Sequence, residues 1–287
     1  MGRIDLHVHS THSDGTFRPS ELVDLAYEAG VSAFALTDHD TVSGVDEALE
    51  AAKRLEKDRA NPVRVIPGIE VSAVYGGQEI HILGLNVDHK NADFLETLKG
   101  YEMARDERNE KMAVLLAAQG FDISMEKMRE AFPDSVLTRA HFARYLKDHS
   151  WVASMAEAFD RYLGVGCPCY LPKREITPKE AIWCIRLAGG HPVLAHPPQY
   201  KLEKEELEAL VRSLKAWGLE GIEAIYSTYS QGQERSMRDL AKKFHLFITG
   251  GSDFHGSNKP SIHLGTGLGT LFVPWELLNN IQSMVLT

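Results

Sequence analysis

Asp5-Leu6-His7-Val8-His9-Ser10-Thr11-His12-Ser13-Asp14-Gly15 is the stretch whose reading decides the fold. The apolar run Ile4 to Val8 predicts a short strand. His7 and His9 are two residues apart, so strand pleating turns both imidazoles to one face. Asp14 follows on a Ser/Gly-rich turn. Two neutral nitrogen donors and one charge-balancing oxygen at a strand end are what a borderline divalent metal takes. The plainer alternative is two ordinary strand histidines beside a polar turn, and the later segments discriminate between the two.

Working outward, Glu21 to Ala29 reads as a helix, with Pro19 near its first turn and Gly30 just past its end. Ser32 to Leu36 is a second strand that runs into the polar cluster Thr37-Asp38-His39-Asp40. Val45 to Lys57 is helical, Val63 to Val71 is a strand carrying Glu70 at its far end, and Gln78 to Val87 is a strand bearing His81. Strand and helix in alternation, with polar residues at strand ends, predict a parallel α/β sheet or barrel with its chemistry at the carboxyl ends of the strands.

The pattern then breaks. From Leu98 to Ile176 no strand is expected; helices are, at Ala92–Gln119, Ala140–His149 and Ser154–Leu163. This gives three segments: 1–97 as the first part of the α/β domain, 98–176 as an all-helical insertion, and 177–287 as the second part. The insertion holds twelve basic and twelve acidic residues, so the formal charge of −9 falls on the α/β part. A neutral, Arg-bearing cap would suit a polyanionic substrate. Alternation resumes at the capping box Thr177-Pro178-Lys179-Glu180. Strands are then expected at His191–His196, Gly221–Tyr226 and Leu246–Gly250, and helices at Glu205–Trp217 and Gln233–Phe244.

A hydrophobic share of 44% and a charged share of 25% are those of an ordinary globular protein. No apolar run approaches a membrane span, and a strand starting so early leaves no room for a signal peptide. Cys167, Cys169 and Cys184 are too few for a disulfide framework, which predicts a cytoplasmic setting. Cys167-Pro168-Cys169 lacks a second cysteine pair, so a structural role is expected rather than a thiolate metal site. The acidic balance argues against a surface that coats nucleic acid, though not against a phosphate substrate, because bound cations reverse the local potential.

Six histidines (His7, His9, His39, His81, His196, His255) and three carboxylates (Asp14, Glu70, Asp253) fall at or near expected strand ends. Core histidines have no reason to gather at one end of every strand. Nine donors exceed one four-coordinate site, so two or three divalent metals are expected, with Glu70 the natural bridging carboxylate.

The ordered motifs His-x-His-Ser-x-x-Ser-Asp-Gly, Thr-Asp-His-Asp, Pro-Gly-Ile-Glu, the isolated His81, Ala-His-Pro and Gly-Ser-Asp-Phe-His resemble those of the PHP (polymerase and histidinol phosphatase) family. The resemblance spans the α/β part. It implies a distorted seven-stranded (β/α)7 barrel with a trinuclear Mn, Zn or Fe centre. It places His7, His9, Glu70 and Asp253 on one metal and Asp14, His39 and His255 on a second, with Glu70 bridging to a third held by His81 and His196. The insertion, with Leu137-Thr138-Arg139-Ala140-His141-Phe142-Ala143-Arg144-Tyr145-Leu146, Tyr162-Leu163 and Tyr170-Leu171-Pro172, resembles that of one branch. That branch contains 3′,5′-nucleotide bisphosphate phosphatases and the RNase AM 5′→3′ exoribonucleases of short RNA. One departure concerns the residues after Ala-His-Pro, where Pro198-Gln199 replace Gly-Arg; it touches a substrate contact and no metal ligand.

The expected activity is hydrolysis of nucleotide or 5′-phosphorylated RNA esters by a hydroxide bridging two metals. Arg139 and His141 are the expected phosphate contacts, Lys173 and Arg144 weaker ones, and no general acid is assigned. His12 is expected on the rim, and Asp38 and Asp40 as carboxylates that orient His39. The competing readings are a phosphatase of another small monoester such as histidinol phosphate, and a non-catalytic metal-binding module. No membrane association and no stable protein partner are expected.

Overall fold

In the computed structural model, which describes residues 2–58, 61–133, 135–171 and 176–282, strand and helix first alternate. The elements are β1 (Arg3–Val8), α1 (Pro19–Glu28), β2 (Val31–Leu36), α2 (Val45–Asp58), β3 (Arg64–Tyr75) and β4 (Gln78–Leu85). Helices α3 (Ala92–Ala118), α4 (Met125–Ala131), α5 (Arg139–Asp148) and α6 (Met155–Ala158) follow, the last continuing as a π-turn at Phe159–Leu163. The alternation returns with α7 (Pro178–Leu187), β5 (His191–Leu194), α8 (Lys204–Trp217), β6 (Gly221–Tyr226), α9 (Gln231–Phe244) and β7 (Phe247–Gly251). A two-residue β8 (Val273–Pro274) and α10 (Leu278–Gln282) complete the described chain.

The strands form one sheet in the order β7-β6-β5-β4-β3-β2-β1-β8. Beyond the last residue of β7 the chain returns to β1: Asp253 N–H donates to His7 O at 2.9 Å, and His9 N–H to Phe254 O at 3.0 Å. These bonds nearly close the seven longer strands into a distorted barrel, and β8 adds an antiparallel edge to β1. The closure needs a glycine at position 251, because a Cβ there would lie 2.4 Å from His7 Cβ.

One expectation is corrected. The strands are not all parallel, for β4 runs antiparallel to both β3 and β5. Tyr75 pairs with Gln78 across Gly76 and Gly77, whose φ values of +58° and +83° give the two-residue turn of a hairpin. His81 therefore lies in the first half of a reversed strand, not at a carboxyl end. The reversal itself brings it to the end of the barrel where the other strands finish.

Alternate residues of successive strands share a buried cluster: Ile4 and Leu6, Ala33 and Ala35, Ile66, Leu83 and Leu85, Val193, and Ile225. Each large aliphatic side chain so buried contributes about 1.5–3 kcal/mol. The helices carry the caps their sequences specify. Thr177 Oγ1 accepts the Glu180 N–H at 3.2 Å and Glu180 Oε2 accepts the Thr177 N–H at 2.7 Å, with Pro178 at the first helical position.

The chain divides into two compact units, Met1–Thr97 with Ile176–Thr287, and Leu98–Glu175. The second has its own core, in which Met112, Leu116, Met128, Phe142, Leu146 and Leu163 are fully buried. It also contains α4, which sequence reading passed over although Ser124 caps it by accepting the Lys127 N–H at 3.2 Å. The helix expected over Ser154–Leu163 starts at Met155, with Ser154 as its cap, and its second half is the π-turn, which closes as Gly164 N–H donates to Phe159 O at 2.7 Å. Among the described residues no helix is long and apolar enough to cross a membrane. The three cysteines are free thiols.

Candidate metal centre

The nine predicted donors come together around Glu70, the buried carboxylate midway along β3. Its two oxygens face different imidazoles. Oε2 lies 3.2 Å from His7 Nε2, 3.2 Å from His9 Nε2 and 3.3 Å from His39 Nδ1. Oε1 lies 2.9 Å from His81 Nδ1 and 3.0 Å from His196 Nε2. Asp253 Oδ1 approaches His7 Nε2 at 3.6 Å, His9 Nε2 at 3.4 Å and His255 Nδ1 at 3.3 Å. Asp14 Oδ1 is 3.1 Å from His255 Nε2, and its Oδ2 is 3.9 Å from His39 Nε2.

Donor atoms lie within 4.8 Å of one another in each of four sets: His9, Asp14, His39 and His255; His7, Glu70 and His196; His7, His9 and Asp253; His39, Glu70 and His81. Around a tetrahedral ion with bonds of about 2.1 Å, ligand atoms stand about 3.4 Å apart. The four separations linking His7 and His9 to Glu70 Oε2 and Asp253 Oδ1 are of that size, 3.2, 3.6, 3.2 and 3.4 Å. His7 Nε2, His9 Nε2 and His39 Nδ1 are buried without a hydrogen bond. An orphaned buried nitrogen is costly, and an ion among these carboxylates would satisfy all three. The residues therefore fit a divalent metal.

Local backbone places the donors. His7 leaves β1 and His9 begins the following loop, where Ser13 and Gly15 N–H groups both turn back to Ser10 O at 3.1 and 2.9 Å. Gly15 passes so close that a Cβ would meet His9 O at 2.4 Å. Asp40, His196 and Asp253, each just past a strand, hold positive φ values of 55°, 29° and 57°. Such strain in non-glycine residues persists where surrounding bonds over-determine it, most often at functional sites.

Several supports were not read from sequence. Glu223 on β6 is wholly buried; its Oε1 is 3.0 Å from His7 Nδ1, and its Oε2 accepts the His196 N–H at 2.8 Å. Tyr200 OH donates to Ala195 O at 2.6 Å and accepts the His81 N–H at 3.0 Å. The Tyr226 hydroxyl donates to Asp253 Oδ2 at 2.5 Å and accepts from Gln199 Nε2 at 2.7 Å. Gln199, one of the two residues that depart from the family pattern, is thus tied into the centre. Asp38 bonds elsewhere than at His39, accepting from Ser10 N–H, Ser10 Oγ and Ser13 Oγ at 2.7, 2.7 and 2.6 Å. Asp40 accepts from Ser72 N–H at 2.8 Å. Asp38 thus anchors the loop after β1 instead of orienting His39, and Asp40 is tied to β3. His12 bonds Ser43 Oγ at 2.8 Å and joins no donor set.

Burial opposes charge on all these groups, and neighbouring charges decide the outcome. For His7, desolvation is outweighed by Glu70, Glu223 and Asp253, which hold its pKa well above the ordinary value. His9 rises to about 9 against its burial through Asp253 and Glu70, and His81 to about 10 through Glu70 and Glu79. In His39 burial prevails and the pKa falls to about 3. Asp14, Glu70 and Asp253 are held well below the usual range, because imidazoles, and for Asp253 also the Lys259 ammonium, overcome their burial. Without a cation, protons on His7, His9 and His81 balance the carboxylates.

In the helical unit, Arg139 opens α5 with its guanidinium 5.5 Å from the centre of the Tyr170 ring. His141 is buried, its Nδ1 accepting the Thr138 N–H at 3.0 Å and its ring set edge-on to Phe132. Arg144 pairs with Asp148 at 3.4 Å one turn along the helix. Lys173 lies outside the described residues.

The PHP domain model matches residues 5–167. A 5′-3′ exoribonuclease of Haemophilus influenzae is 36% identical over 88% of this chain and 90% of its own length. A 3′,5′-nucleoside bisphosphate phosphatase of Chromobacterium violaceum is 33% identical over 92% of this chain and 91% of its own. A crystal structure from Bifidobacterium adolescentis, of a candidate metal-dependent phosphoesterase, superposes with a TM-score of 0.82 at 28% identity, covering 97% of this chain and 95% of that one. The chain belongs to the PHP domain family and is a metal-dependent phosphoesterase.

Proposed function

We propose that this protein hydrolyses phosphate esters of nucleotides, either 3′,5′-bisphosphates or the 5′ end of short RNA, with two or three divalent ions of Mn, Fe or Zn. The observation that carries the reading is the division of Glu70, with His7, His9 and His39 at one oxygen and His81 and His196 at the other. A carboxylate shared in this way suits two neighbouring cations, and a mixed imidazole–carboxylate set suits all three metals. The activities named for the similar exoribonuclease and bisphosphate phosphatase point to the substrate class.

His7, His9, Glu70 and Asp253 would hold one ion, Asp14, His39 and His255 a second, and Glu70, His81 and His196 a third. The clusters of donor atoms overlap these three groups, since His9 also reaches the second, and His7 and His39 the third. Bound cations would activate water near neutral pH and offset charge on the transferring phosphoryl group. The protein's part is to hold the donors rigid through Glu223, Tyr200 and Tyr226. Arg139 and His141 are proposed as phosphate contacts.

Phosphate release in Mn²⁺ from adenosine 3′,5′-bisphosphate, AMP, histidinol phosphate and a 5′-phosphorylated oligoribonucleotide tests the reading. The bisphosphate or the RNA should turn over best, and preference for histidinol phosphate would overturn it. Arg139→Ala should raise KM while leaving metal content unchanged.

A further inference from the structure

Asp253 uses its two oxygens differently. Oδ1 faces His7, His9 and His255, whereas Oδ2 takes two donors, the Tyr226 hydroxyl at 2.5 Å and the Lys259 ammonium at 2.6 Å. Tyr226 is buried and is itself fixed by Gln199. Lys259 reaches the same oxygen from a side chain that is 41% exposed, so the residue stands at the border between solvent and the centre. Among the described residues Asp253 is the one hydrogen-bond partner of that ammonium. An ammonium has three N–H donors, and two are therefore left beside the carboxylate that completes the His7–His9 donor set.

Resting on the phosphoesterase reading above, we propose that Lys259 is a substrate-binding residue whose ammonium takes a non-bridging oxygen of the phosphoryl group at the His7–His9–Asp253 corner. Tyr226 already supplies Asp253 Oδ2 with a buried donor, so the carboxylate keeps its orientation when Lys259 turns toward substrate. A compact ammonium with rotatable donors matches a tetrahedral phosphate, whose oxygens can be approached from several directions. Negative charge on those oxygens must be countered as the ester bond breaks, and an ammonium held beside Asp253 is at hand to counter it. The counter-ion role alone leaves the two remaining donors without a use.

The test is calorimetric titration of inorganic phosphate into Mn²⁺-loaded wild type, Lys259→Gln and Lys259→Arg, with metal content measured in each. Lys259→Gln should bind phosphate about 10–100-fold more weakly at unchanged metal content, and Lys259→Arg should recover most of the affinity. Unchanged affinity in Lys259→Gln, a loss that only tracks lost metal, or no phosphate binding by wild type would each overturn the proposal. Because the readout is binding, a wild type that binds phosphate but cleaves no ester would overturn the functional reading and leave Lys259 decided by the titration.

Discussion

His7 Nδ1 lies 3.0 Å from Glu223 Oε1, two fully buried side chains 216 residues apart in sequence that lock one imidazole between β1 and β6. The contact directs the other ring nitrogen, Nε2, at Glu70 and Asp253. The second Glu223 oxygen holds the backbone of His196. One carboxylate thus orients two proposed ligands, and such outer partners typically govern metal affinity by 10–100-fold. Glu223→Gln is expected to weaken Mn²⁺ binding by about that factor and to recover activity in excess metal. Unaltered affinity in a competition titration would remove the orienting role.

Asp38 ties the β1 loop, through Ser10 and Ser13, to the end of β2. That loop carries His9 and Asp14. Asp38→Ala leaves three donors without their acceptor and should cost about 1.5–3 kcal/mol in urea unfolding. It should also lower metal occupancy at saturation. Full occupancy with only a stability loss would confine Asp38 to the scaffold.

The metal-free protein should respond to pH in a direction set by its histidines. His9 and His81 have folded-state values of about 9 and 10, above the 6.5 of an unperturbed histidine. A raised folded pKa gives stability that is complete below pH 6.5 and is lost as pH rises through 9 and 10. Metal binding displaces the same protons. Chelated protein should therefore melt at falling temperature from pH 6.5 to 10, while Mn²⁺-loaded protein holds nearly level. Titrations in buffers of different ionisation enthalpy should register proton release. A level profile for the chelated protein would contradict this account of the charge balance.

Thiol reactivity should separate the three cysteines. Burial pushes Cys184 up to about 12 and raises Cys169, and both are enclosed, whereas Cys167 is half-buried with Sγ 3.2 Å from Asp160 O. Ellman's reagent should label one thiol quickly in native protein and three in guanidinium. Rapid labelling of Cys184 would place it outside the core.

The sequence by itself determined most of the helices and the candidate donor residues. Both have local signals: Pro178 and Glu180 around Thr177 for a helix start, and polar His-Asp clusters following apolar runs for strand-end donors. The reversal of β4 was also written locally, in Gly76-Gly77, the residues that a two-residue hairpin demands. Tertiary structure alone decided which donors lie together and what holds them. Glu223 lies within Ile222-Glu223-Ala224-Ile225, and nothing nearby in the chain distinguishes it from a solvated strand glutamate; only the approach of β1 brings His7 to it. Lys259 likewise follows a polar loop, and its ammonium gains meaning from Asp253 Oδ2 and Tyr226. Burial of a charge requires a partner, and here the partners come from strands far apart in sequence that barrel closure sets side by side.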